Sequence, residues 1–542
     1  MIGLLPRIHT RHADTGVRRF ARDESGVMIA FSIFYFLIIL LMVGVGVDLM
    51  RFEMERTKLQ NTLDRAVLAA ADLQQTQDPT DVVQDYFDKA HLNATLASPV
   101  VVDQLNRRTV TAQAESSIVT QFMHMVGINT LTAPALSQAE ESIDGIEIVM
   151  VLDVSGSMGS NSRLVNLKPA AREFVDTVLD LAPAGEVTIS IVPYNTQVNA
   201  GASLLARLPV TAEHSYSNCV VFDAADFDDP AFSSSGGNVQ RAAHFDVDYT
   251  DGFNLPVDGS ELRSPVCPRG SNSEILVMSD NQTALDAKIN GLTAGGWTSI
   301  DLGMKWAAAL VDPGSRTTIN GLIADGVVTA TNANRPVDYD EPNILKVIVV
   351  MTDGENTRQY LLRDDLRSGN SDVWHNDTTG TYSIWNAAQG RYFVVSGSGG
   401  SWRDHPFGDG AGESGSARRL EYPELYAANT VREVALNIYR PMYRNLYGYS
   451  AGNTLAQQDW ITNAYSTMGE ATKNTQLQQV CGALKDENVM IYSIGFEAPT
   501  GGQDELRDCA TTPSHFFDVD GLEIRDAFQS IAASIAQLRL TQ

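Results

Sequence analysis

Three hydrophobic patterns follow one another along the 542-residue chain. The first is a nearly unbroken apolar run over residues 27–47, about 21 residues, long enough as a helix to cross the ~30 Å hydrocarbon layer of a bilayer. Helical spacing continues through Leu59, Leu63, Ala66, Val67 and Ala70, so the helix emerges and packs on something up to about residue 74. The second pattern, over 78–141, predicts a small α+β segment, with a helix at 82–90 and strands near 99–102 and 109–114. The third begins at residue 146. Apolar runs of strand length at 146–152, 346–351 and 489–496 alternate with helical spacing at 164–181, 284–292, 299–311 and 476–485. Residues 187–192 alternate apolar with small polar side chains, predicting a partly exposed strand, and Phe516-Phe517 predicts a short edge strand. Leu522, Phe528, Ile531, Ile535 and Leu538 recur at roughly helical spacing and predict a last helix, ending at Leu540, docked on the sheet. Pro169 is tolerable in 164–181 only near the helix start or as a kink. Alternating strands and helices predict an α/β fold: a doubly wound, mostly parallel sheet covered on both faces.

Chemistry gathers at the ends of these elements. The strand at 146–152 runs into Asp153-Val-Ser155-Gly-Ser157-Met158. Alternate positions of an extended segment project to one side, so Asp153, Ser155 and Ser157 can converge just past the strand. Hard oxygen donors with too few carboxylates to saturate a metal describe a small-cation site with an open position. An ordinary Ser/Gly turn is the plainer reading of the same run. Two later segments favour the cation. Gly295-Gly-Trp-Thr298-Ser-Ile-Asp-Leu-Gly303 sets a hydroxyl on a glycine-flanked loop before a helix, and the strand at 346–351 ends in Thr352-Asp353-Gly354-Glu355. In open parallel α/β sheets ligands bind beyond the carboxyl ends of strands, where both aspartates stand.

This set, DxSxS, then a loop threonine, then a strand ending in Thr-Asp-Gly, resembles the von Willebrand factor A domain with a complete metal-ion-dependent adhesion site. The resemblance implies that Ser155, Ser157 and Thr298 give hydroxyl ligands to Mg²⁺ (or Mn²⁺ or Ca²⁺). It implies that Asp153 and Asp353 hold the ion through water and orient the serines. Neutral hydroxyl ligands leave such an ion electrophilic, ready to take a carboxylate from a partner protein. No His or Lys stands as a base and no nucleophile motif occurs, which argues against an enzyme. Phosphatases of the Asp-x-Asp type need a carboxylate where this chain has Ser155.

Charge and cysteines place the chain. A net charge of −27 with 19% charged residues argues against nucleic acid and anionic membrane surfaces as partners. Arg7, Arg11, Arg18, Arg19 and Arg22 precede the apolar run and Asp48 follows it, so the N-terminus is expected in the cytoplasm and the rest outside. The run exceeds the apolar core of a signal peptide and leads straight into a charged helix, so a retained anchor is expected over a cleaved leader or a buried soluble helix. Cys219, Cys267, Cys481 and Cys509 allow three pairings; proximity favours Cys219 with Cys267 and Cys481 with Cys509, with free thiols as the alternative. Closing the second loop, of about 28 residues, contributes roughly 3–4 kcal/mol in the chain-entropy model. No cysteine spacing points to zinc.

The N-terminal part carries a second resemblance. Glu24-Ser-Gly26 before the apolar run, Gly46-Val-Asp48 at its exit, Leu59-Gln-x-x-Leu63-Asp64-x-Ala66, Ala69-Ala70-Ala71, and Phe122-Met123 with Gly127-Ile128 resemble TadG-type proteins of the Tad/Flp pilus-assembly system. Pilin-like members are cut after a glycine with glutamate five residues on; here Gly26 has Phe31 at that distance, so the anchor is expected to stay.

The domains expected are a basic cytoplasmic stretch at 1–26, a transmembrane helix at 27–47, a helix with a small α+β segment at 48–141, and an A domain at 142–542. Insertions are expected at about 195–281 and 358–458. The first holds an acidic cluster, Asp223, Asp226, Asp228, Asp229, Asp246, Asp248 and Asp251, read as a solvated loop or a second cation site. Asp246 begins no EF-hand, since Gly252 falls seventh and Val257 twelfth. The second joins a Gly/Ser/Asp tract at 396–416 to an aromatic helical stretch with Tyr422, Tyr426, Tyr439, Tyr443, Tyr447 and Tyr449. Those tyrosines serve either protein contact or a subdomain core. The function expected is a membrane-anchored, exported protein of the bacterial envelope, its A domain periplasmic or extracellular. It would assist pilus assembly, anchoring and adherence by a metal-bridged contact with an acidic residue of a pilus-assembly component. A surface adhesin binding an extracellular ligand independently of pili is the alternative, and a metal-dependent hydrolase the reading from another class.

Overall fold

The computed structural model describes residues 26–538 apart from 73–74, 76, 93, 105–106, 143–144, 182–184, 248–261, 263–264 and 342–343. The five N-terminal arginines, Glu24, Asp248, Asp251, Gly252, Val257, Leu540 and the side chain of Leu538 lie outside the described residues. The fold is mixed α/β with an apolar N-terminal helix, in two compact units, Met1–Ser142 and Ile143–Gln542.

In the first unit α1 runs unbroken over Val27–Ala71. Its first half is apolar on every side, is long and apolar enough to cross a membrane, and leaves Met28, Ile29, Phe34, Phe36 and Met42 exposed. Its second half is amphipathic. Leu59, Leu63, Ala66, Val67 and Ala70 are buried against Val82, Val83 and Phe87 of α2, Pro79–Ala90, and against Val110, Ala112 and Ala135 of the sheet. The start of α2 is set by Asp78, whose carboxylate accepts from Thr80 N at 2.8 Å, with Pro79 in the first turn where its missing N–H costs nothing.

The sheet of this unit has β1 Ala94–Leu96 and β2 Val100–Gln104 along one edge of β3, Arg107–Val119, and β4, Thr130–Ser142, along the other. β3 and β4 form one antiparallel hairpin from Arg107↔Ser142 to Val119↔Thr130. The strand expected near 109–114 is therefore much longer, and β4 is new: its Ala, Ser, Thr and Gln residues and Pro134 give little apolar alternation to read.

The second unit is built on a six-stranded sheet. In chain order its elements are β5 Gly145–Asp153, α3 Arg163–Leu179, β6 Val187–Tyr194, β7 Leu276–Ser279, α4 Gln282–Gly291, α5 Ile300–Val311 and β8 Ile344–Thr352. Then follow α6 Glu470–Asp486, β9 Met490–Phe496, α7 Thr500–Cys509, β10 Phe516–Val519 and α8 Ile524–Leu538. The strand order is β10-β9-β8-β5-β6-β7, parallel throughout except β6 with β7. Successive residues of β5 enter opposite cores: Ile148, Met150 and Leu152 join residues of α3, α4 and α8, while Val149 and Val151 join residues of α5 and α6. β6 corrects the expectation of partial exposure, since all eight residues are buried. It lies between β5 and β7, and Ser190 spends its hydroxyl inside by accepting from Met278 N at 2.9 Å.

Within 195–281, Val220–Val221 pairs with Gln240–Arg241 in a short ribbon beside the Cys219–Cys267 bond. Asp226 of the acidic cluster is buried and accepts from Asp223 N, Ser234 N and Ser234 Oγ, so its charge organises the loop. Among the described residues no group of three or more His, Cys, Asp or Glu side chains is arranged to hold a metal. Within 358–458 a five-stranded antiparallel sheet spans Asn370–Asn376, Thr381–Asn386, Arg391–Ser396, Gly399–Arg403 and Ala417–Glu421. The tract at 396–416 thus contains a strand, because turn-forming glycines connect ladders there. Tyr426 and Tyr439 are buried in a separate core with Val373, Ile384 and Phe393, whereas Tyr447 and Tyr449 are exposed.

Candidate metal centre

β5 and β8 are parallel neighbours in a register that pairs Leu152 with Met351. Their carboxyl ends therefore deliver Asp153 and Asp353 side by side. Asp153 is fully buried and is held by neutral donors: Ser155 N reaches its Oδ1 at 2.6 Å and Thr352 Oγ1 its Oδ2 at 2.5 Å. The chain then turns through a 3₁₀ segment, Gly156–Gly159, that lifts Ser157 into the opening. Ser157 Oγ donates to Asp353 Oδ1 at 2.7 Å and stands 3.0 Å from Ser155 Oγ.

The threonine loop is threaded alongside. Gly295 N donates to Val154 O at 2.9 Å and Gly156 N to Gly296 O at 3.0 Å, so the serine loop and the glycine pair run together. Gly296 has φ of +78°, and a Cβ there would stand 2.7 Å from Thr196 Oγ1; both conditions require glycine. Thr298 is buried, and its hydroxyl lies 3.7 Å from where a Gly354 Cβ would be, at the corner just past Asp353. All five residues expected at the site meet at one end of the sheet.

Residues that the sequence did not reveal complete it. Arg163, at the start of α3, donates through Nη1 to Asp353 Oδ2 at 2.7 Å and through Nε to Glu497 Oε2 at 2.8 Å. Lys473 of α6 is fully buried, and its Nζ donates to Thr298 O at 3.0 Å, Ser299 Oγ at 2.6 Å and Thr357 O at 2.9 Å. The same ammonium lies 3.4 Å from the buried carboxylate of Asp301. Asn356 accepts from Ile300 N at 2.8 Å and donates to Asn474 Oδ1 at 3.0 Å. The loop carrying Thr298 is thereby tied to the exit of β8 and to α6. Nothing in the spacing announced Arg163, and Lys473 lies just ahead of where helical periodicity became readable.

The electrostatics are of a kind that suits a cation. Burial, with the negative charge of Asp353 beside it, pushes the Asp153 carboxyl up to about 7 despite its hydrogen bonds. Among the described residues the two buried carboxylates face one guanidinium, that of Arg163, which reaches Asp353 and not Asp153. The donor set suits a hard ion in a second respect. Cis oxygens on an octahedral Mg²⁺ with bonds of 2.0–2.1 Å stand about 2.9 Å apart, close to the 3.0 Å between Ser155 and Ser157 hydroxyls. These residues fit a divalent ion with hydroxyl ligands and an open position toward Ser157, which is exposed.

Both disulfides join the cysteines that proximity favours: Cys219 to Cys267 with Cα atoms 5.8 Å apart, and Cys481 of α6 to Cys509 of α7 at 5.2 Å. None of the four is free.

Residues 26–73 match the family model for Tad, described as Flp pilus-assembly TadE/G-like. No curated protein matches the chain. Among solved structures, the pilus adhesin SpaC of Lactobacillus rhamnosus GG is 11% identical with a TM-score of 0.31, covering 83% of this chain and 34% of that one. The chain thus spans about a third of SpaC. The vWF domain of the type V pili tip protein Mfa5 from Porphyromonas gingivalis is 16% identical, TM-score 0.30, over 72% of this chain and 95% of that one. The pilus adhesin RrgA of Streptococcus pneumoniae is 11% identical, TM-score 0.29, over 81% and 49%.

Proposed function

We propose that this chain is a membrane-anchored envelope protein that assists assembly or anchoring of Tad/Flp-type pili and surface adherence. Its second unit acts as a von Willebrand factor A domain with a doubly wound sheet, binding a partner protein through a metal-bridged contact. The observation that carries this reading is the convergence of Asp153, Ser155, Ser157, Thr298 and Asp353 at the carboxyl ends of β5 and β8. The Tad match at 26–73 supports the pilus side.

In this reading Ser155, Ser157 and Thr298 would hold Mg²⁺, Mn²⁺ or Ca²⁺ by their hydroxyls, with Asp153 and Asp353 behind them. The ion, when bound, supplies a Lewis-acidic position for a carboxylate of the partner. The chain's own residues do the orienting. Thr352 and Ser155 N fix the Asp153 carboxylate, Arg163 fixes Asp353, and Lys473 fixes the Thr298 backbone. This reading is one of binding, and no reaction is proposed. The N-terminus lies in the cytoplasm and the second unit outside, a topology supported by the arginines before the apolar run and by the two disulfides.

The test is electron microscopy of surface pili in a deletion strain complemented with wild type or Asp153→Ala. Loss of pili that wild type restores and Asp153→Ala does not is the expected result. Pili that persist in the deletion strain overturn the pilus reading in favour of direct adhesion to an extracellular ligand.

A further inference from the structure

The β3–β4 hairpin ends in a tip that exposes large apolar side chains beside the polar but not acidic Gln121, His124 and Asn129. Val119, Met125, Val126 and Ile128 are 69, 58, 52 and 40% exposed. Residues 116–139 contain no Asp, Glu, Lys or Arg, in a chain whose net charge is −27. The tip's backbone polar groups are spent internally. Thr120 Oγ1 donates to Ile128 O at 2.6 Å, Gly127 N to His124 O at 3.0 Å and Ile128 N to Met123 O at 3.1 Å. A 3₁₀ turn, Met123–Val126, is closed by Gly127 at φ of +90°. This is a shaped, prefolded wedge.

Two contacts fix its height along α1. Asp48, the first residue after the apolar run, is buried and accepts from Gln121 N at 2.9 Å and from Phe122 N and Met123 N at 2.8 Å. One turn back, a Cβ on Gly44 would stand 2.4 Å from Phe122, so glycine there is what lets the tip close on the helix. Four residues at 1.5 Å each put the Phe122 contact about 6 Å along the helix from Asp48, inside the apolar run. Amphipathic segments that lie in a membrane interface bury their apolar face about 5–10 Å deep, the same range.

We infer that this tip is a second membrane contact: the hairpin inserts Met125, Val126 and Ile128 into the interfacial layer of the bilayer that α1 crosses, on the side where Asp48 emerges. The inference rests on reading residues 27–47 as the membrane span. The occupant is lipid because Phe122 of the tip closes on Gly44 inside the apolar run, and the Asp48 bonds hold tip and span at one level. A lone helix tolerates tilt and sliding at modest cost. A wedge fixed to its side pins its depth and rotation, which gives the Asp48 and Gly44 contacts a purpose beyond folding.

The test uses the full chain, with disulfides intact, in phosphatidylcholine vesicles. A single new thiol, Val126→Cys, carries an environment-sensitive fluorophore, and lipids bearing a shallow nitroxide or aqueous iodide serve as quenchers. Leu136→Cys is the outside control: Leu136 O bonds Gln60, which lies about 18 Å along α1 from Asp48. Ile33→Cys reports the span with a deep nitroxide. The expected result is several-fold stronger quenching by shallow nitroxide at Val126 than at Leu136, with protection from iodide. Iodide quenching at Val126 equal to that at Leu136 overturns the proposal, as does protection from both quenchers, which means protein covers the tip. If Ile33 escapes the deep nitroxide, the span itself is wrong and the tip falls with it; Ile33 quenched with Val126 in water refutes the tip alone.

Discussion

β5 and β8 carry buried charge at both of their ends, and the two ends are balanced in opposite ways. At the amino ends Glu147 meets Lys346 at 2.6 Å and Arg335 at 3.4 Å, and accepts from Val337 N at 3.1 Å. One buried carboxylate there faces two cationic side chains. At the carboxyl ends two buried carboxylates face Arg163 alone, and Arg163 is divided between Asp353 and Glu497. Strands and depth of burial are shared. What differs is the sign of the charge left over, cationic side chains in excess at one end and carboxylates in excess at the other. An open balance of oxygen donors beside a solvent-facing hydroxyl is what a cation from outside requires.

The largest expected effect separates the two ends directly. Glu147→Ala leaves Lys346 and Arg335 buried without their carboxylate and should cost about 3–5 kcal/mol in urea unfolding. Its ion affinity, measured on the folded protein, should not move. Asp153→Asn is expected to do the reverse. In chelator near neutral pH it should be at least as stable as wild type, because it removes an uncompensated charge and keeps an acceptor. Added Mg²⁺ should stabilise wild type and not this variant. Equal destabilisation by both substitutions would break the comparison.

Lys473 sharpens it, since this cation is spent on two loop carbonyls, a serine hydroxyl and Asp301 rather than on Asp153 or Asp353. Lys473→Met leaves Asp301 buried alone and should lower stability by about 3 kcal/mol. It should also weaken Mg²⁺ binding, because Thr298 loses its anchor. Adding Asp301→Leu should recover most of the stability and none of the affinity. Recovery of both would make Lys473 a matter of folding only.

A smaller effect is the pH dependence. The Asp153 carboxyl rises from 3.8 to about 7 on folding without metal, so between those values the folded chain holds a proton that the unfolded chain has released. Stability from this group is therefore greatest at the acidic end, falls as pH rises through about 7, and is flat above. An incoming ion must displace that proton, so affinity for Mg²⁺ should rise toward pH 7 and then level. Thermal melts with and without chelator read both slopes, and Asp153→Asn should remove this contribution from each.

Much of this was legible because parallel sheets buried on both faces write themselves as continuous apolar runs. The strands ending at Asp153 and Thr352 announced their position, and with it the cluster of oxygens beyond them. The unread parts share a different physics. β4 is held by pairing between small or polar residues, which leaves no alternation to read, and the sheet over 370–421 sets its apolar Val373, Ile384 and Phe393 in short strands between glycine-rich turns. Lys473 and Arg163 act on atoms far away in sequence, and a lone basic residue on a helix gives no local sign of that. β6 misled because its Thr and Ser looked solvent-facing, although Ser190 spends its hydroxyl on a backbone amide. The Asp48 contact explains in retrospect why Gly46-Val-Asp48 and Phe122-Met123 occur together: one carboxylate caps the turn that carries the other pair.

The most direct test of the open charge balance is calorimetric titration of Mg²⁺ into the purified full chain at about pH 8, where Asp153 needs no proton displaced. Wild type is predicted to take up one ion per chain, and Asp153→Ala and Ser155→Ala none, while Glu147→Gln binds as wild type does. Absence of saturable binding to wild type, or equal binding by wild type and Asp153→Ala, would contradict the account.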